Sequence, residues 1–379
     1  MFQILFFRPG KKNFLNSKRP QHMQIAFRLW ESLLIFKSKF DVLTKQPVFF
    51  IQPIEQKGAE MDPLPVTLKE LDRVEVLTLM DNFADVLLED TEVVTRPPKA
   101  VGEEIPSDTL LAEHGLCLLV RVQRGTGKHT LLFDTGYNSM GVLHNMDRLA
   151  VDPNELEAIV LSHGHMDHTG SLYAILGKIS GSIALVVHPD AFHYPRFLEE
   201  KDGTKIRFPR TLVRQDLAQR NVTLQESKTP TPILDGSILV TGEIERTTAF
   251  EKGMPDALLE REGKLEHDPI RDDQALVMNL KGKGLVVISG CSHAGIINTV
   301  VYAQKLTGIE PVHAVLGGFH LSGAFFEMIL EDTVEMLKAL SPTVLVPMHC
   351  TGRKAMERFS REFPSSFVLN SVGSKITLT

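Results

Sequence analysis

The sequence predicts an α+β chain that carries its chemistry at the ends of strands. Apolar stretches of strand length alternate with amphipathic stretches of helix length from about Val74 onward. Several of those strands break off into short polar turns bearing His, Asp or Cys. One turn gathers His163, His165, Asp167 and His168 within six positions. Open sheets with helices between their strands present ligands at such strand ends, because rigid elements aim short loops at one crevice.

The elements follow in order. Residues 74–80 read as a strand ending at Asp81-Asn82, and residues 116–122 and 130–133 as strands joined by Arg124-Gly125-Thr126-Gly127, a hairpin-type connection. Residues 152–157 read as a short helix, 158–161 as a buried strand running into His163, 171–179 as a helix and 183–187 as a strand. Residues 200–275 are charged and punctuated by proline, which marks an insertion or lid, with a short strand signal at 238–241. Residues 284–289 form a continuous apolar strand, followed by a helix over 296–306. A strand over 312–316 ends at Gly317-Gly318-Phe319-His320, and the stripe Phe326, Ile329, Leu330, Val334, Leu337 and Leu340 predicts a helix over 325–340. A strand over 343–347 leads to His349, and 354–363 is helical. No repeat or low-complexity tract is present.

The 379 residues suffice for one large domain with an appendage. Residues 1–60 stand apart: they hold 10 Lys and Arg against 4 Asp and Glu, whereas the whole chain holds 41 against 47. Within them, residues 24–40 carry Ile25, Leu29, Trp30, Leu33, Leu34 and Phe36 among Arg28, Glu31, Lys37 and Lys39, a basic amphipathic helix pattern suited to a membrane surface or a partner. The blander reading is a poorly ordered extension ahead of Met61, with 61–379 as the catalytic domain. The body that follows is acidic and lacks the clustered Lys and Arg that nucleic acid requires. Cys117, Cys291 and Cys350 make no disulfide framework and suit a reducing compartment. Without a spanning apolar run or a signal peptide, the expectation is a cytoplasmic protein whose partners are an anionic small-molecule substrate and, at most, further copies of itself.

The segment Ser162-His163-Gly164-His165-Met166-Asp167-His168-Thr169-Gly170 is the strongest signal. Imidazole and carboxylate are the usual ligands of zinc and similar divalent ions. In an extended turn His163 and His165 project to one side, and Asp167 and His168 at a helix entry face a neighbouring position. A lone histidine is usually structural or solvated; four ligand-type residues so close together are not explained by packing.

This HxHxDH segment resembles that of the metallo-β-lactamase superfamily, and the resemblance covers about Val74 to Thr379. It implies a four-layer αβ/βα sandwich with the metal site at one edge. Phe133-Asp134-Thr135-Gly136 resembles the Asp-bearing strand end of that superfamily, which would make Asp134 the residue orienting a ligating histidine. Leu79-Met80-Asp81-Asn82, Glu113-His114-Gly115-Leu116, Gly290-Cys291-Ser292-His293-Ala294-Gly295, Gly317-Gly318-Phe319-His320-Leu321 and His349-Cys350-Thr351-Gly352 are together similar to one subfamily. That subfamily is described as metal-dependent hydrolases of β-lactamase superfamily II, and it includes 7,8-dihydropterin-6-methyl-4-(β-D-ribofuranosyl)aminobenzene-5′-phosphate synthases.

The resemblance implies one cation on His163, His165 and His293 and a second on Asp167, His168 and His349, with Zn2+ expected and Mn2+ or Fe2+ as alternatives. A bound ion would bring the pKa of a water to about 7, and two ions about 3.5–4 Å apart would activate a nucleophile and polarise a phosphoryl or carbonyl oxygen. The chain departs from the superfamily pattern where a bridging Asp is expected: Gly290-Cys291-Ser292 stands there, and Cys291 is either a thiolate ligand or, the slightly favoured reading, a small buried residue. His188 is an alternative third ligand to His293, read as structural by preference. Asp167 and His320 are the catalytic candidates, His320 as a substrate-facing acid or oxyanion contact or else as an extra ligand. His114 is read equally as a core residue or a functional one, and His22, His129, His144, His193, His267 and His313 as ordinary. The implied activity is hydrolysis of an anionic small molecule, a phosphoester above all. The rival is a pterin-type transfer in which an arylamine partner attacks. A non-catalytic sensor and a flavin-partnered di-iron centre rank lower, the first because the ligand set is intact and the second because no flavin-binding segment is present.

Overall fold

The computed structural model describes residues 65–100 and 102–379, all within one compact unit. The amphipathic pattern at 24–40 and the extension it belongs to lie outside the described residues.

Two mixed sheets form the centre. One has seven strands, with Thr231–Ile233, Ile238–Val240, Ala275–Leu280, Gly284–Ser289, Val312–Gly318 and Val344–Met348 side by side and Glu70–Leu71 against Ala275–Leu280. The other has eight, running Val222–Glu226, Ile183–Val187, Ala158–Val160, Gly127–Phe133, Cys117–Arg124, Arg73–Met80, Lys375–Leu378 and Val94–Thr95. Successive side chains of a strand point to opposite faces, and here both faces are apolar. Val74, Val76, Leu118, Val120, Leu131 and Phe133 share a core with Leu276, Met278, Val286, Ile288, Leu316 and Val346 of the other sheet. The intervening Leu77, Leu79, Leu119 and Leu132 pack instead with Val142 and Met146 of helix Ser139–Arg148 and with Leu172 and Ile175 of helix Leu172–Leu176. On the far side, Val277, Val287, Val315 and Leu345 pack with helices Ile296–Thr307, Leu330–Leu340 and Arg353–Glu362. Helices, sheet, sheet, helices: the four layers follow from this alternation.

Most predicted elements recur with shifted ends. The short helix at 152–157 is a single 3-10 turn, Pro153–Glu155, started by Asp152 and Pro153. The helix predicted over 325–340 divides into a 3-10 turn, Phe326–Ile329, and an α-helix, Leu330–Leu340. Helix Ser139–Arg148 was not predicted, because Gly141 and its polar residues dilute the stripe; the Asn138 side chain caps it by accepting from Met140 N at 2.9 Å. Residues 200–275 are more ordered than a lid. They supply two strands of the seven-stranded sheet and most of a separate four-stranded one, Lys264–His267, Ala257–Arg261, Arg196–Glu199 and Lys205–Arg207. No described helix is long and apolar enough to cross a membrane.

The small sheet is moored by a buried ion-pair cluster. Arg196 places Nη2 2.6 Å from Asp272 Oδ1 and Nε 3.0 Å from Asp268 Oδ2, with all three side chains at least 96% buried. Breaking such a pair from one side strands charge in a poorly solvated place. Arg196→Met should therefore cost about 3–5 kcal/mol of stability, read as a lowered urea midpoint with the slope unchanged.

Candidate metal centre

Register sets the location of the site. Phe133 pairs with Val160 in one sheet, and in the other Ser289 pairs with Gly317 and Gly317 with Pro347, all in parallel. The residues just beyond those points are Asp134, the 162–168 turn, Gly290–His293, His320 and His349, so the loops of both sheets open at one edge. The backbone there is unusual. Asp134, Ser292, His320 and His349 are non-glycine residues at φ between 44° and 60°, a conformation that surrounding structure must hold in place.

Three clusters of ligand-type atoms lie at this edge, each with its atoms within 4.8 Å of one another: His163, His165 and His293; Asp167, His168, Cys291 and His349; and Cys291, His293 and His320. The predicted ligand residues from three separate strand-end loops thus come together, with His320 from a fourth. His188 does not join them. Its Nδ1 accepts from Asp190 N at 3.1 Å and so caps the 3-10 turn Pro189–Phe192. Cys291, favoured above as buried filler, is buried but sits inside the centre, with Sγ 3.1 Å from His168 Nε2. His114 is no core residue. Its side chain is 65% exposed at the rim, with Nε2 3.6 Å from Asp167 Oδ2.

Hydrogen bonds decide which nitrogen of each ring faces inward. His168 Nδ1 lies 2.6 Å from Asp134 Oδ2, so that nitrogen carries the proton and Nε2 is left toward the centre. The Ser162 hydroxyl donates to Asp134 Oδ2 at 2.7 Å and accepts from His163 Nδ1 at 2.9 Å, which leaves His163 Nε2 with its lone pair. Asn82 donates through Nδ2 to His349 O and accepts at Oδ1 from His349 Nδ1, both near 3 Å. His349 Nε2 then stands 3.2 Å from Asp167 Oδ2, without hydrogen-bond geometry. His165 Nε2, His349 Nε2 and both ring nitrogens of His293 are buried with no hydrogen-bond partner in the protein. Buried polar atoms are rarely left so. These partnerless imidazole nitrogens, with the Asp167 carboxylate and the Cys291 thiol buried among them, fit a divalent cation.

The electrostatics favour neutral imidazoles at His163, His165 and His293 and a charged one at His168. Burial, with the neighbouring rings, pushes the His163 imidazole well down, and His293 likewise; burial with Arg196 nearby takes His165 down to about 3. Burial alone would raise Asp167, but His168 and His349 hold it well below the usual carboxylate range. Burial would also lower His168, yet Asp134 and Asp167 outweigh it and raise it to about 9. Asp272, inconspicuous in the sequence, accepts from Gly164 N at 2.8 Å while Arg196 grips it, so the small sheet reaches the turn between His163 and His165. Asn82 and Ser162 were also missed as contributors. Their only signal was a position beside a strand end or a ligand-type residue.

Comparison with known proteins bears on this geometry. Residues 111–247 match the sequence profile of the Metallo-beta-lactamase superfamily. The 7,8-dihydropterin-6-methyl-4-(β-D-ribofuranosyl)-aminobenzene-5′-phosphate synthase of Methanocaldococcus jannaschii is 35% identical over 259 residues, 68% of this chain and 87% of its own. The chain belongs to the metallo-β-lactamase superfamily. A second, uncharacterised protein of the same organism is 33% identical over 267 residues, 70% of this chain and 93% of its own. The crystal structure of a metal-dependent hydrolase of the β-lactamase superfamily superposes with a TM-score of 0.60 at 25% identity, covering 81% of this chain and 98% of that one. The superfamily generally binds metal ions, in keeping with the donor clusters found here.

Behind the centre the two sheets come into close contact at Gly290. A Cβ there would lie 2.1 Å from Ser162 Oγ and 3.0 Å from Asp134 Oδ2. Gly290→Ala should thus destabilise the fold by about 1–3 kcal/mol through overpacking. Gly181→Ala, where a Cβ would meet nothing within 4 Å, should stay within about 0.5 kcal/mol. Paired chemical denaturation of the two variants checks this.

Proposed function

We propose that this chain is a metal-dependent hydrolase of an anionic small molecule, a phosphoester above all. The observation that carries the reading is the convergence of buried, partnerless imidazole nitrogens with the Asp167 carboxylate at one sheet edge. In this reading His163, His165 and His293 hold one cation and Asp167, His168 and His349 a second, with Cys291 close to both. Zn2+ is the expected ion, with Mn2+ or Fe2+ as alternatives. A divalent ion at such a place supplies Lewis acidity toward a phosphoryl oxygen and lowers the pKa of water to about 7.

The protein's own groups do the rest. Asp134 keeps the proton on His168 Nδ1, Asn82 keeps one on His349 Nδ1, and Ser162 accepts the one on His163 Nδ1. Such outer contacts fix ring tautomer and angle. Asp167 Oδ2 lies 3.2 Å from His349 Nε2 and 3.5 Å from His168 Nε2, where it can orient a nucleophilic water. His320, its ring centroid 4.4 Å from that of His293 and its Nδ1 buried without a partner, is the group that would meet charge developing on the substrate.

Hydrolysis needs only these groups and water. Condensation of the pterin type needs in addition a second organic substrate held in line; the 35% identity to a synthase of that kind favours it as the second reading. Incubation with a reduced hydroxymethylpterin pyrophosphate and the arylamine phosphate separates the two. A condensation product would establish the transfer, whereas cleavage of a phosphodiester to monoester and alcohol, or opening of a lactone to its hydroxy acid, with no condensation, would establish the hydrolase. Elemental analysis of the purified protein should find one or two equivalents of metal. His165→Ala should lose metal and turnover together, and Asp134→Ala should weaken metal affinity roughly 10–100-fold. Full metal content and turnover in His165→Ala would overturn the ligand assignment.

A further inference from the structure

On its His293 side the candidate centre is closed. The space left against Ser292, His293 and His320 is only about 20 Å³, room for a single water and for nothing larger. Its outer wall is formed by Phe325, Phe326 and Ile329. Phe326 meets the His320 ring edge-on at 4.5 Å, and Phe325 stands at 90° to Phe326 at 5.1 Å. A water fits beneath this wall; an organic substrate reaches His293 and His320 from this side only when the wall moves.

The wall is lightly held. Leu321 and Leu330 belong to one buried core, but none of residues 322–329 between them is buried, and Met328 keeps 70% of its surface exposed. Glu327 N donates to Gly323 O at 2.9 Å and Met328 N to Phe325 O at 3.3 Å, so these backbone bonds stay within the segment. Its two ends are anchored differently from its middle. Ser322 packs so closely on Gly352 that a Cβ there would lie 2.8 Å from its own, and Arg358 grips Glu331 through Nε and Nη2 at 2.9 and 2.8 Å. Gly323, at φ 95°, has nothing within 4 Å of the place a Cβ would take, so the backbone can turn there without meeting a neighbour. Two contacts hold the middle down: Phe326 on His320, and Lys354 Nζ of helix Arg353–Glu362 at 2.5 Å from Glu327 Oε2. A stretch with few buried contacts and local bonds opens at low free-energy cost.

Resting on the reading above, we infer that residues 322–329 are a lid, closed in this structure, that swings about Gly323 to admit substrate to His293 and His320. The Glu327–Lys354 ion pair is its latch and the Phe326 ring its seal. Neither belongs to the ligand set.

Stripping of metal from the purified protein by excess EDTA, too large for the closed space, reads the opening without turnover. Glu327→Gln and Lys354→Met should each speed metal loss roughly two- to fivefold, the worth of an exposed ion pair. The double variant should be no faster than either alone, because both break the same contact. Phe326→Ala should speed the loss roughly two- to tenfold. Arg214→Met, which breaks the exposed pair with Glu226, should leave the rate unchanged. Amide hydrogen exchange should quicken over 322–329 in the latch variants and stay at the wild-type rate over helix Leu330–Leu340. Wild-type rates of metal loss in all three single variants, a double variant as fast as the product of its parts, or unaltered exchange over 322–329 would overturn the inference. Absence of metal from the wild-type protein would instead overturn the functional reading beneath it, and hydrogen exchange would still decide the lid.

Discussion

Everything at the centre depends on tying the outer nitrogen of a histidine to a fixed acceptor. Imidazole is a ligand only through a nitrogen that carries no proton, and in a buried site the proton goes wherever the best acceptor stands. Asp134, Ser162 and Asn82 provide those acceptors for His168, His163 and His349. The two residues from the eight-stranded sheet side, Asp134 and Ser162, also bond to each other twice, through Ser162 N and Oγ. One carboxylate therefore orders the local backbone, a hydroxyl and an imidazole together. Gly290 of the opposite sheet packs against this knot, which joins the orientation of the rings to the seating of one sheet on the other.

The same dependence explains why strain collects here. Four non-glycine residues in left-handed backbone conformations lie at strand ends around the centre. A strand that simply continued would carry its side chain past the edge; the reversed φ turns it back over the opening. Such geometry survives where the surroundings dictate it, and here they are two apolar sheet faces and a sealed hydrogen-bond network. The small sheet adds a further brace, because the Asp272 that Arg196 grips also holds the peptide between His163 and His165.

Much of the fold was legible from residue pattern. Strands such as Gly284–Ser289 and Ile183–Val187 are continuous apolar runs bounded by turn residues, and their limits were read without error. Helix Ser139–Arg148 and strand Lys375–Leu378 were not read. The first lacks a clear apolar stripe, and the second becomes a strand by filling the gap between Arg73–Met80 and Val94–Thr95. Insertion residues 200–275 looked like a lid because hairpins with charged, exposed faces have the composition of loops. Only strand pairing separates the two cases.

For the site, the primary structure alone determined the kind of chemistry. Four ligand-type side chains in six positions cannot be explained by packing, and the later histidines each follow an apolar strand, which announces a sheet edge. Tertiary structure decided membership and orientation. Cys291 enters the centre while His188, equally buried at an equally suitable strand end, stays out, because the parallel register of three strands carries the first to the opening and a local cap holds the second at its own turn. The tautomers of His168 and His349 and the brace from Asp272 likewise involve partners tens to hundreds of residues apart. Their distances are set by how two sheets stack, which no local spacing encodes.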